Sequence, residues 1–201
     1  MASTIKGYDV FISWQEGLEE ERDLFYEVVQ RYSWEKAIRR GFIFIPNDWK
    51  KIPGGYGRAQ GRVNLKLDIC DYLIVLFWDR WGSPSGKAEG KEYSSGTEEE
   101  YYRGVECLKD GQKPMQDIVV FFKEVPERQL SDPGLQLNKV LEFKKKIKEE
   151  CLYKDFKKKE EFEKLIVEHL EDWLLKLEYS NQPVRKSVTV IDKGDGVVPN
   201  R

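Results

Sequence analysis

The sequence predicts a three-layer α/β fold, with a central, mainly parallel five-stranded sheet and helices on both faces. Three observations point to it. Apolar, β-rich runs alternate with amphipathic stretches along almost the whole chain, an order that gives parallel strands joined by crossover helices. Two runs, Tyr8 to Ser13 and Asp71 to Trp78, are nearly continuous in apolar residues, as strands covered on both faces should be. Charged, aromatic and turn-forming residues gather just after these runs, at the strand ends where open α/β sheets bind their ligands.

Taken in order, Tyr8-Asp9-Val10-Phe11-Ile12-Ser13 is the first strand and delivers Ser13 and Trp14 at its C-terminal end. From Glu19 to about Arg39 the pattern is helical, with Leu24, Phe25, Val28, Val29 and Tyr32 on one face. Gly41 is the helix stop. Phe42-Ile43-Phe44-Ile45 is the second strand, ended by Pro46-Asn47-Asp48-Trp49. A glycine-rich loop, Lys50 to Gly57, follows. Its composition suits either contact with a phosphate or plain turn chemistry.

Residues 58–69 read as a helix with Val63, Leu67 and Cys70 facing inward. Asp71 to Trp78 is the third strand, and Asp79-Arg80-Trp81-Gly82-Ser83 emerges from its end. Pro84 to Ser95 has the composition of a loop. A helix opens at Thr97 and stops at Asp110-Gly111, and Asp117 to Phe122 is the fourth strand. Ser131-Asp132-Pro133 signals another helix, with lysines near its end that suit the helix dipole. Cys151 to Phe156 is a short edge strand. The last helix, Lys157 to about Leu177, carries Phe162, Leu165, Ile166, His169, Leu170, Trp173 and Leu177 on one stripe. The expected organisation is one domain over 1–179 and a polar tail or linker over 180–201, with one β-like run, Ser187 to Ile191.

Composition narrows the function. The 201 residues are 40% hydrophobic and 35% charged, with 34 basic and 36 acidic residues and a formal net charge of -2. Nothing there drives binding to nucleic acid or an anionic membrane. No apolar run approaches a bilayer span, and the first residues lack the apolar core of a signal peptide. Cys70, Cys107 and Cys151 are widely spaced and odd in number, which suits a reducing, cytoplasmic setting without a metal-thiolate site. A single histidine, His169, argues against multi-histidine metal sites and histidine-based triads.

The chemistry gathers at the helix opening at Thr97. Thr97 reads as its N-cap, and Glu98, Glu99 and Glu100 fill the first turn. Acids there suit capping and the dipole as well as catalysis. Successive helical residues point about 100° apart, so one of the three carboxylates is expected to face a pocket. Ser13, Trp14, Asp48, Trp49, Trp78, Arg80 and Trp81 all fall at predicted strand ends. Four tryptophans in such places suit a pocket that stacks a base or a nicotinamide ring, or a surface that meets a partner protein.

Tyr8 to Ser13 resembles the opening strand of TIR domains. Glu20-Glu21-Arg22-Asp23, Arg80-Trp81-Gly82-Ser83, and Ser95 with Thr97-Glu98 and Glu100-Tyr101 resemble more closely a TIR-like family found at the N-terminus of large bacterial and eukaryotic signalling ATPases. Gly96-Thr97-x-x-Glu100 also resembles the helix start of nucleoside deoxyribosyltransferases of the same broad superfamily. The resemblance spans about residues 7–177 and implies a flavodoxin-like, TIR-like fold. It implies an NAD glycohydrolase that cleaves the nicotinamide–ribose bond, with Glu100 acting at the ribose carbon and Glu98 or Glu99 as substitutes under a shifted alignment. Ser13, Trp14, Asp48, Trp49, Trp78, Arg80, Trp81 and Thr97 would bind the substrate, with Arg80 toward the pyrophosphate. NAD is then a substrate and no cofactor is needed. The setting implied is cytoplasmic antiviral defence or signalling, with self-association or an activating partner domain. The alternatives are a non-catalytic TIR-like interaction module and a nucleoside N-glycosidase or deoxyribosyltransferase-like enzyme.

Overall fold

The computed structural model describes residues 4–88 and 90–181. In chain order the elements are β1 (Lys6–Ser13), α1 (Glu19–Tyr32), β2 (Phe42–Asn47), α2 (Ala59–Leu67), β3 (Tyr72–Phe77), β4 (Gly86–Ala88), β5 (Lys91–Tyr93), α3 (Gly96–Lys109), β6 (Asp117–Lys123), α4 (Glu127–Ser131), α5 (Leu135–Ile147), β7 (Lys154–Phe156) and α6 (Lys159–Asn181). The main sheet has the order β2-β1-β3-β6-β7 with every neighbouring pair parallel. This is the flavodoxin-like order, whose switch point lies between β1 and β3.

The alternation of side chains along the strands builds two cores. Val10, Ile12, Tyr72, Ile74, Leu76 and Phe121 face α1 and α6. Phe11, Leu73, Val75, Phe77, Val120 and Phe122 face α2, α3 and α5. All six residues of β3 are buried, which explains its unbroken apolar run. Trp173 of α6 stacks on Tyr72 with ring centroids 4.2 Å apart, and its indole donates to Asp117 Oδ2 at 2.8 Å. His169 packs against Phe121 and Trp173, and burial lowers its pKa, so it belongs to the core as its place on the stripe suggested. No described helix is long and apolar enough to cross a membrane.

Several boundaries differ from the sequence reading, each for a local reason. The α-helix expected to Arg39 stops at Tyr32, then widens through a π-turn over Ser33–Ala37 and tightens into a 3-10 turn over Ile38–Arg40. This lets Ser33 Oγ bond both the N–H and the carbonyl of Phe44 at 3.0 Å, covering the free edge of β2. β2 runs on through Pro46, which an edge strand tolerates. The helix expected over 58–69 spans Ala59–Leu67. The loop expected over 84–95 contains the β4–β5 hairpin. The helix signalled at Ser131 starts at Leu135, after the short α4. The last helix extends to Asn181, and the β-like run at 187–191 lies outside the described residues.

Two features fix α3, the helix that carries the glutamates. Asp68, just past α2, accepts from Arg103 Nε and Nη2 at 2.7 and 2.8 Å and from Lys113 Nζ at 3.0 Å. Burial alone would raise the Asp68 pKa, but those donors outweigh it and hold it down at about 2, so the clamp stays ionised at neutral pH. Gly104 lets α3 seat against the sheet. A Cβ there would stand 2.5 Å from Leu73 Cδ2 and 3.2 Å from Ile118 Cδ1.

Gly104→Ala is therefore expected to destabilise the fold in urea denaturation. Overpacking costs about 1–3 kcal/mol, which outweighs the gain of about 1 kcal/mol in helix propensity. A variant as stable as wild type would show that α3 is not held this closely.

Candidate active site

Glu100 lies one turn N-terminal to Gly104, so the same close seating carries it to the end of β1. The helix start that precedes it is built differently from the expectation. Ser95, not Thr97, is the N-cap, and its Oγ accepts from Glu98 N at 3.1 Å. Glu98 reaches back to Ser94, accepting from its N–H at 2.7 Å and its hydroxyl at 2.8 Å. The pair resembles a capping box shifted by one residue. Thr97 is buried inside the first turn.

Glu99 and Glu100 are both buried. They point in different directions and meet different partners. Glu99 accepts from both Arg58 terminal nitrogens, from Asn64 Nδ2 at 2.7 Å and from Ser85 Oγ at 2.5 Å. Burial acts to raise the Glu99 pKa, but these donors and the Arg58 charge hold it below the usual range. Glu99 is an ionised clasp.

Glu100 has a different environment. Gln60 Nε2 donates to its Oε1 at 2.8 Å, and Ser13 Oγ lies beside the same carboxylate. Burial pushes its pKa up to about 7, the Ser13 and Gln60 contacts lower it, and the Glu99 charge raises it. Gly96 permits this arrangement, since a Cβ there would meet Gln60 Oε1 at 2.8 Å. Ser13 belongs to β1 and Glu100 to the helix after β3, so the carboxyl sits at the switch point, where this fold class binds ligands. At 4% exposure the side chain is closed off from solvent in this conformation.

The crevice also holds buried polar atoms without hydrogen-bond partners: Ser13 Oγ, Gln15 Oε1 and Asn64 Oδ1. Gln15 spans the crevice, its amide donating to the Trp81 carbonyl at 3.0 Å. Orphaned buried polar atoms also occur away from Glu100, at Trp14 Nε1, Tyr26 Oη, Trp78 Nε1 and Tyr102 Oη among others, and each is suited to ordered water or a ligand.

The other residues expected in the site do not join Glu100. Trp14 turns into the α1-side core, stacks on Trp49 at 5.5 Å and lies under Lys50 and Arg22. Asp48 is buried, accepts from Lys51 N at 3.1 Å, and lies 3.8 Å from Arg22. Trp78 packs on the α1 side, with Lys123 over its ring. Trp81 belongs to the opposite core, against Phe77 and Phe143, and donates to Ser94 Oγ at 2.7 Å. Arg80 is exposed, 3.8 Å from Glu16. The four tryptophans are divided between the two faces of the sheet and form no single stacking pocket.

A cleft of about 750 Å³ exists elsewhere, at the ends of β6 and β7, lined by Trp78, Phe122, Leu137, Val140 and Lys144. It does not contain Glu100, and Trp78, which lines it, also has an unpartnered buried Nε1. The sequence reading missed Gln15, Arg58, Gln60, Asn64 and Ser85. The available signal was Arg58-x-Gln60 at a helix start after a glycine-rich loop. In that loop Gly55 packs on Arg62, whose Nη1 donates to the Pro53 carbonyl at 3.2 Å.

A family model described as Domain of unknown function (DUF4062) matches residues 9–171, from β1 into α6. No curated protein matches the chain.

The Glu100 environment gives a stability test. Its folded pKa lies above the unfolded value of about 4.3, so its contribution to stability is complete below that pH and is lost as pH rises through about 7. Glu100→Gln removes the cost of burying the charge. The variant is expected to be more stable than wild type at pH 8 by about 2–3 kcal/mol, with the gain shrinking toward pH 5, in paired denaturation curves. An equal effect at both values would contradict the raised pKa.

Proposed function

This chain belongs to the DUF4062 family, and we propose that its Glu100 crevice is an N-glycosidase site that cleaves the nicotinamide–ribose bond of NAD. The observation that carries the reading is a carboxyl buried at the switch point, held by the Gln60 amide with the unpartnered Ser13 hydroxyl beside it. A carboxyl poised near neutrality can ionise there, and its charge, little screened by water, is then available for a developing cation. The resemblance of Gly96-Thr97-x-x-Glu100 and of the first strand to TIR-like sequences supports the same chemistry.

The proposed step is heterolysis. The bond between the ribose carbon and the nicotinamide nitrogen breaks, and the electron pair leaves with the ring. The pyridinium thereby becomes neutral nicotinamide, so no general acid is required. Positive charge develops at the ribose carbon, where ionised Glu100 stabilises or captures it. Water then attacks that carbon, breaking the ester bond to Glu100 where one has formed, and loses a proton to the free Glu100 carboxylate or to solvent, giving ADP-ribose. The cationic substrate also favours the ionised acid by bringing an opposite charge near it. Gln60 would hold one carboxylate oxygen in place. Ser13 would bond the other oxygen or a ribose hydroxyl.

A second reading, a TIR-like interaction module without catalysis, is favoured by the closed state of the crevice. Under the enzyme reading that closure is the resting state of a protein that acts when self-associated or joined by a partner domain. The reading places this activity in cytoplasmic defence or signalling through NAD consumption.

Nicotinamide release from NAD separates the two. Glu100→Gln is expected to lower kcat by at least about 100-fold. The wild-type kcat/KM is expected to rise with pH and level off above about 7, because the ionised acid is the active form. Full turnover by the variant would remove Glu100 from the mechanism. Absence of release by the activated, assembled protein would favour the interaction module.

A further inference from the structure

The closed crevice and the Glu99 clasp meet at the start of α2. Arg58 is the residue before α2, and Gln60 lies in its first turn. Arg58 grips Glu99, while Gln60 covers Glu100. Arg58 Nε also donates to the Ser85 carbonyl at 2.9 Å. One guanidinium thus ties together the start of α2, the segment before β4 and the first turn of α3. Its side chain is 28% exposed, whereas the Glu99 side chain is 1% exposed. The cation therefore has a face toward solvent that its carboxylate partner lacks.

Three features make this grip exchangeable. The planar fork that binds a carboxylate through two nitrogens binds phosphate oxygens in the same way. Glu99 keeps Asn64 and Ser85 as donors when Arg58 leaves, so its buried carboxylate is not stripped of hydrogen bonds. The chain just before Arg58 has open space beside it at two glycines. Gly57 has φ +113, and neither it nor Gly54 has an atom within 4 Å of where a Cβ would stand.

We propose that Arg58 is the anion receptor of this site, masked by Glu99 in the closed state, and that a substrate diphosphate opens the crevice by taking Arg58 from Glu99. The inference rests on the NAD reading and specifies how the diphosphate is recognised. Two adjacent glutamates then have separate tasks. Glu99 competes with the substrate's anionic centre, and Glu100 serves its cationic centre. A diphosphate carries more charge than one carboxylate and displaces it. A nucleoside without phosphate lacks this means of entry. Movement of Arg58 draws the first turn of α2 with it and lifts Gln60 from Glu100.

The test is binding of ADP-ribose and of nicotinamide riboside to the full chain by calorimetry. Wild type, Arg58→Ala, Arg58→Lys and Glu99→Gln are compared after each is shown to melt cooperatively. Glu99→Gln is expected to bind ADP-ribose about 10-fold more tightly, and Arg58→Ala about 10- to 100-fold more weakly, in line with one charge-assisted bidentate contact. Arg58→Lys, which keeps the charge and loses the fork, is expected to fall between them, and it carries the test where Arg58→Ala does not fold. Riboside binding is expected to be no weaker in the Arg58 variants, since the riboside has no diphosphate for Arg58 to hold. Equal loss of both ligands, ADP-ribose binding unchanged by the Arg58 substitutions, or no ADP-ribose binding even by Glu99→Gln would overturn the proposal. Arg58-dependent ADP-ribose binding without NAD cleavage would leave the receptor in place and remove the glycosidase reading. NAD cleavage with an unchanged KM in Arg58→Ala would do the reverse.

Discussion

The structure depends on burying two consecutive glutamates in the first turn of α3. Two acids side by side in a protein interior repel each other, and each resists desolvation. The fold resolves the conflict by treating them differently. Glu99 receives a guanidinium, an amide and a hydroxyl and stays charged. Glu100 receives weaker neutral partners, and its pKa moves to about 7. Environments that push neighbouring acids in opposite directions are characteristic of catalytic sites.

Much of the remaining architecture holds that turn in place. The buried β3 forms the floor on which Gly104 seats α3, and Asp68 ties the far end of α2 to α3 through Arg103. Arg58 and Gln60 close the near end. Helices α2 and α3 are thus joined at both ends across the mouth of the switch point. Stability and closure come from the same contacts, so any opening must exchange one partner for another. The Glu100 environment carries a cost at high pH, as expected where a buried acid is retained for a purpose other than stability.

The fold was legible because its signals are periodic. The unbroken apolar run from Tyr72 to Phe77 and the stripe from Phe162 to Leu177 each specify one arrangement. The π-turn after Tyr32 was not legible, since it depends on Ser33 meeting Phe44 across the edge of β2. The site was only partly legible. The position of Glu100 follows from its helix and its strand. Its partners come from α2 and the end of β1, which lie far away in sequence. The tryptophans misled because a strand end does not fix the face. Trp14 and Trp81 both follow strands, yet one turn of backbone sends them into opposite cores. The helix cap moved from Thr97 to Ser95 because the hydroxyl of Ser95 reaches Glu98 N.

The central claim is that Glu100 is a buried acid poised near neutrality while its neighbour Glu99 is held ionised. Side-chain 13C NMR of glutamate-labelled protein, titrated from about pH 4 to 9, measures this directly. The account predicts one carboxyl resonance titrating near 7, absent from Glu100→Gln and shifted to lower pH by a bound nicotinamide cation. A spectrum in which every glutamate titrates below about 5, or in which the high resonance persists in the variant, would contradict it.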